Sequence, residues 1–162
     1  MIKLNGLHKH YGPHHVLNDI SFHVPPGEVF ALLGANGAGK TTAIKILLGL
    51  TPADRGTIEV AQDITFGYSP ETPYFPPFFT GFEVLVYYAR LQGQSRHQAD
   101  QTAKQLLQSI GLADRSTKVK HYSKGMLQRL ALAQALIGDP DVLILDEPTA
   151  GLDALGRVEI LS

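Results

Sequence analysis

At 162 residues, 44% hydrophobic and 18% charged, with a net charge of −1, the chain has the size and balance of one soluble globular domain and no basic footprint for nucleic acid. It contains no cysteine, which excludes a disulfide framework and a thiolate metal site. No apolar run approaches the roughly 20 residues that span a bilayer, and the N-terminus lacks the long apolar core of a signal peptide; a cytoplasmic location fits, and work at a membrane would require docking on a partner.

In chain order, Ile2 and Leu4 alternate with Lys3 and Asn5, and Ile20, Phe22 and Val24 alternate with Ser21 and His23. That period predicts two half-buried antiparallel strands. Between them lie Tyr11-Gly12-Pro13 and four histidines, His8, His10, His14 and His15. With no carboxylate or thiol at fixed spacing, this segment reads as a solvated loop in preference to a metal site. After the turn signal Pro25-Pro26-Gly27, the unbroken apolar run Val29–Leu33 predicts a strand buried on both faces.

The next stretch, Gly34-Ala35-Asn36-Gly37-Ala38-Gly39-Lys40-Thr41-Thr42, satisfies the pattern of Gly, four free positions, Gly, Lys and Ser or Thr. Glycines let the backbone take positive φ and approach a polyphosphate, so that main-chain N–H groups converge on it. Lys40 then places an ammonium between the outer phosphates, and the Thr41 hydroxyl ligates the Mg²⁺ that bridges them. Ala43, Ile44, Leu47 and Leu48 recur at helical spacing behind the loop, so a helix N-terminus adds its dipole. Strand, loop and helix come in the order the motif requires.

Thr51–Gly56 is turn chemistry, and Thr57–Val60 and Ile64–Tyr68 read as strands. Ser69–Phe79 holds four prolines and four aromatics, too irregular for a regular element. Thr80 and Glu83 form a capping box ahead of Val84, Tyr87, Tyr88 and Leu91, with Gly93 as the stop. Ser95 and Gln98 repeat the device ahead of Ala99, Ala103, Leu106, Leu107 and Ile110, stopped by Gly111. Tyr74, Phe75, Phe78 and Phe79 divide evenly between local core for this helical insertion and a partner-binding surface.

A third helix is predicted from about Gly125 to Ile137 with Ser123 as N-cap. Val142–Leu145 is again fully apolar and ends in Asp146-Glu147-Pro148. Two acids at the tip of a buried strand are costly unless a cation or a reaction needs them. In an open α/β sheet ligands collect at the carboxyl ends of strands, which puts this pair beside the phosphate loop, Asp146 for Mg²⁺ and Glu147 to take a proton from attacking water. Asp153 reads as the N-cap of a last helix.

Taken together, these motifs give a chain that resembles the ATP-binding cassette ATPases, the nucleotide-binding subunits of ABC transporters. Tyr122-Ser123-Lys124-Gly125-Met126 looks like the cassette signature, Leu145–Thr149 like the second nucleotide motif, and Ala150–Asp153 like the loop after it. The resemblance implies an α/β fold. It has a P-loop NTPase core with an N-terminal antiparallel β-subdomain (core residues 1–69 and 140–162) and an inserted α-helical subdomain (70–139). It further implies ATP and Mg²⁺ as ligands, Tyr11 stacking on adenine, and Thr42 joining the phosphate contacts. Ser123, Lys124 and Gly125 would meet the ATP held by a second cassette, with Asp153 across the same interface. A transmembrane permease subunit would receive the aromatic insertion and hold the protein at the inner face of the membrane. No nucleic-acid partner is expected.

Where the family usually has glutamine, this chain has Glu71, whose carboxylate still suits Mg²⁺ or water. Similar Pro-Glu forms accompany the relaxed signatures of ABC-2-type exporters, which the chain most resembles; here Tyr122, Lys124 and Met126 replace Leu, Gly and Gln. The family's switch histidine would lie roughly thirty residues beyond Asp146-Glu147. The resemblance also places a strand between Val29–Leu33 and Val142–Leu145 that these residues do not supply, so an incomplete domain is expected. Beside an ATP-hydrolysing transporter subunit stand two other readings: a remnant that binds ATP without turnover, and a cassette ATPase of DNA repair or translation, which lacks the basic surface expected of it.

Overall fold

A computed structural model describes residues 1–113 and 116–148, which form a first unit of residues 1–64 and a second beginning at Thr65. In the first unit, β1 (Ile2–Tyr11) is the centre of an antiparallel sheet, flanked by β2 (His14–Val24) and β3 (Arg55–Val60). Ile2 faces Val24 and Val60, and Leu4 faces Phe22 and Ile58. The alternation changes phase at Gly6, whose φ of 57° and N–H to Ser21 Oγ mark an irregularity in the ladder. Before it Ile2 and Leu4 are buried, and after it Leu7 and Lys9. One extra residue turns every later side chain to the other face. The helix α1 (Lys40–Leu47) buries Ala43 and Ile46.

The strand pair expected from Met1–Val24 therefore forms, but the histidines are not on a loop. His8 and His10 lie in β1, and His14 and His15 in β2, with Gly12 and Pro13 alone between the strands. The predicted strand Val29–Leu33 does not form. The run belongs to neither sheet, with Val29 fully exposed and Leu33 88% exposed, while Phe30 stacks on Phe22 with centroids 5.0 Å apart. An apolar run becomes a buried strand only where neighbouring strands satisfy its N–H and C=O groups, and among the described residues none does.

In the second unit, β4 (Phe66–Ser69) and β5 (Val142–Leu145) pair in parallel from Phe66↔Val142 to Ser69↔Leu145. Thr65 staples their entry, donating from its N–H (2.9 Å) and Oγ1 (2.7 Å) to Asp141. Gly67 lets this ladder approach the helix over Lys124–Ala135, since a Cβ there would collide with the Ala135 carbonyl oxygen. The two faces of β5 are not both buried as expected: Leu143 and Leu145 are 39% and 38% exposed, because β4 is its one strand neighbour among the described residues.

Helices α2 (Gly81–Leu91), α3 (Arg96–Ser109) and α4 (Lys124–Ala135) share one apolar core with Phe75, Leu112 and Val119. Both capping boxes form, Thr80 with Glu83 and Ser95 with Gln98. Reciprocal side-chain bonds to orphan N–H groups make such starts local, worth about 1 kcal/mol each. On α2 the core face is Val84, Leu85 and Ala89, whereas Tyr87 and Leu91 of the expected periodic set are exposed. The aromatic insertion divides: Phe75 is core, while Tyr74, Phe78 and Phe79 face solvent.

Candidate functional site

In the first unit the phosphate-loop sequence builds a cradle. Gly37 and Gly39 take φ of 82° and 90°, and Ala38 N–H closes a turn on the Ala35 carbonyl at 3.1 Å. A Cβ on Gly39 would meet Leu17 and the Val16 carbonyl, so the loop lies hard against β2. Lys40 Nζ folds back over the loop, donating to the carbonyls of Gly34 (2.8 Å) and Ala35 (3.2 Å). Thr41 and Thr42 are half-buried in the first turn of α1.

The start of α1 differs from the other helix starts. Thr80, Ser95 and Ser123 cap α2, α3 and α4 by side-chain hydrogen bonds, whereas α1 begins at Gly39 with no side-chain cap. Its first-turn N–H groups thus face outward at the positive end of the dipole, which is the physical requirement of an anion site. Tyr11 closes β1 of the same unit. It is 48% exposed, and the Lys9 ammonium stands 5.5 Å from its ring centroid.

The acid pair belongs to the second unit. Asp146 is buried at the carboxyl end of β5, where its N–H donates to the Ser69 carbonyl at 2.9 Å. Tyr68 Oη donates to Asp146 Oδ2 over a long 3.4 Å. Burial, and then the charge of Asp146 with a smaller effect of Glu71, push the Tyr68 hydroxyl pKa up. Glu71 is exposed on the loop after β4. Ser69 Oγ is buried with no hydrogen-bond partner among the described residues. The Asp146 carboxylate, buried at the strand's end, is a hard oxygen donor of the kind a divalent cation such as Mg²⁺ takes. Glu147 takes a φ of 49°, rare for a residue with a long side chain and a form of strain that concentrates at functional sites.

Ser123 and Lys124 are exposed at the start of α4, Gly125 is half-buried, and Ser123 Oγ accepts the Met126 N–H at 3.2 Å. Tyr122 has a different role from its neighbours: its ring is core. The structure thus gathers Gly34–Thr42 in one unit, and Tyr68, Ser69, Glu71, Asp146 and Glu147 in the other. Asp153 and its expected helix lie outside the described residues. Tyr68 is an addition that the sequence reading missed; its signal was a hydroxyl near the end of an apolar run just before Pro70-Glu71.

The ABC transporter family profile matches residues 17–150, from β2 through the acid pair. The chain belongs to this family of ATP-binding subunits. It is 41% identical, over 99% of its length and 57% of the relative's, to the uncharacterized ABC transporter ATP-binding protein YxlF of Bacillus subtilis. It is 42% identical, over 96% of its length and 55% of the relative's, to the Nod factor export ATP-binding protein I of Burkholderia thailandensis. A solved structure of the ATP-binding subunit of an ABC transporter superposes with a TM-score of 0.82 at 34% identity, covering 99% of this chain and 71% of that one. The ABC ATPase chain spans about half the length of these curated relatives. Among the described residues no helix is long and apolar enough to cross a membrane.

Proposed function

We propose that this ABC ATPase binds Mg-ATP at the Gly34–Thr42 loop and hydrolyses it to drive a transporter. The uncapped start of α1, with Gly39 pressed on β2 and Lys40 folded over the loop, carries the reading. Backbone N–H groups from Gly34, Asn36, Gly37 and Gly39 through Thr42 would hold the phosphates, and Tyr11 would stack on the base. Thr41, Asp146 and Glu71 would hold Mg²⁺. That ion, when bound, neutralises charge on the outer phosphates. Glu147 accepts the proton of the attacking water, and Lys40 stabilises the charge developing on the phosphoryl oxygens.

Ser123, Lys124 and Gly125 would contact ATP held by a second cassette, identical or not, with Asp153 at the same interface. Closing and reopening this dimer would drive a separate permease docked on the exposed Tyr74, Phe78, Phe79 and Tyr87, keeping the protein peripheral on the inner membrane face. In this scheme residues 1–69 and 140–162 serve as nucleotide-binding core and residues 70–139 as the helical subdomain.

One observation favours a second reading, nucleotide binding without turnover: Val29–Leu33, which leads into the phosphate loop, has no strand partner among the described residues. The first experiment is thermal unfolding with and without Mg-ATP, run beside Lys40→Ala. Stabilisation of about 2.7 kcal/mol at a hundredfold excess over Kd is expected, with most of it lost in the variant. An equal response in both proteins would refute the site.

A further inference from the structure

The phase change at Gly6 has a second effect: it turns His8 and His10 to the solvent side of β1 while Lys9 turns inward. His15, the register partner of His10, brings a third imidazole to the same place. Its ring stacks on His10 with centroids 4.0 Å apart and planes 10° apart, and on His8 at 5.5 Å and 18°. His8 Nδ1 faces His15 Nε2 at 3.4 Å.

That separation lies at the long end of hydrogen bonding and also matches the spacing of two ligands on one metal ion. An N–H···N hydrogen bond is ordinarily near 3.0 Å, so at 3.4 Å the two rings make a long and weak one. Two nitrogens each about 2.0–2.1 Å from one tetrahedral Zn²⁺ stand about 3.3 Å apart along the edge of the tetrahedron. The observed 3.4 Å matches that edge.

We propose that His8 Nδ1 and His15 Nε2 bind one zinc-like divalent ion on the face of the β1–β2 ribbon, with water in the remaining positions. No group of three or more His, Cys, Asp or Glu side chains among the described residues is arranged to hold a metal, so the protein supplies two ligands here. His10 is a positioning residue. Its Nδ1 lies 3.2 Å from Asp54 Oδ2, which also accepts the His10 backbone N–H at 2.6 Å, while Lys9 Nζ holds Asp54 Oδ1 at 3.0 Å. A ring so anchored forms a wall that keeps His15 in plane, reducing the rotamer freedom lost on binding.

The test is equilibrium dialysis of the whole chain against ZnCl₂ near neutral pH. One zinc per chain is expected, weakened roughly tenfold or more in His8→Ala and in His15→Ala. His97→Ala, at an exposed position of α3, should retain it. His10→Ala should weaken it by less than either ligand substitution, since His10 positions the His15 ring without ligating the metal. Absence of stoichiometric zinc, equal loss in His97→Ala, or a loss in His10→Ala as large as in His8→Ala and His15→Ala would overturn the assignment. Should a variant not fold, NMR of the unsubstituted chain gives the same answer: zinc must shift the imidazole resonances of His8 and His15 before those of His97 and His121.

Discussion

Gly39 runs so close to Leu17 that a Cβ on it would lie 2.5 Å from Leu17 Cδ2 and 2.8 Å from the Val16 carbonyl oxygen. Gly37, two residues earlier, shares the positive φ but would place a Cβ in open space. The two substitutions therefore separate strain from collision. Gly37→Ala is expected to cost about 1–2 kcal/mol of stability, the usual penalty of a left-handed residue, and to keep a reduced response to Mg-ATP. Gly39→Ala must also push the loop off β2, so its nucleotide-dependent stabilisation should vanish. Thermal scans of both variants with and without Mg-ATP check this, and equal losses would contradict it.

The Lys9–Asp54 pair sets an acid limit. The Lys9 hydrogen bond, followed by the His10 backbone N–H, lowers the Asp54 pKa from 3.8 to about 2. A depressed folded-state pKa gives stability that is fully present above the unfolded value and is lost as pH falls through the folded one. The native chain should therefore lose this contribution between about pH 4 and pH 2. In Asp54→Asn that part of the acid slope should disappear, while the variant is already destabilised at neutral pH because Lys9, 8% exposed, has lost its partner. Urea midpoints measured across this range distinguish the two profiles.

Local chemistry was legible in the sequence, and pairing at a distance was not. The capping boxes at Thr80 and Ser95 and the glycines at 37 and 39 rest on bonds within a few residues, and each stands where the pattern put it. Val29–Leu33 has the composition of a buried strand, but a strand exists only through its neighbours, and no local signal reports whether they are present. The histidine face depends on a phase change at one glycine and on Asp54, 44 positions from His10. Tyr122 read as a relaxed signature position and proved to be core, since tertiary packing decides what a ring at the edge of a motif does.

Glu147 joins a strained backbone to the expected base. A φ of 49° costs about 1–2 kcal/mol in an L-residue, and Glu147→Gln keeps that shape while removing the basic oxygen. The variant should bind Mg-ATP as the unsubstituted chain does, and turnover should fall by about 10²–10⁴-fold. Phosphate release beside nucleotide titration checks both halves. Turnover that survives the substitution would remove Glu147 from its role, and an unsubstituted chain that binds without releasing phosphate would establish the second reading.

Tyr122 and Gly81 form a matched pair at the start of α2. A Cβ on Gly81 would lie 2.6 Å from Tyr122 Oη and 3.4 Å from both Tyr122 Cζ and Leu107 Cδ2. The hydroxyl alone makes the contact impossible; without it the methyl group would rest in tight van der Waals contact. Gly81→Ala should thus cost about 1–3 kcal/mol through overpacking, despite the higher helix propensity of alanine. In a Tyr122→Phe background the same substitution should cost less, leaving a favourable coupling of at least about 0.5 kcal/mol between the two changes. Chemical denaturation of the four proteins of this double-mutant cycle measures that coupling. Additive losses would mean that the Tyr122 ring moves aside at no cost, and the glycine would then need another explanation.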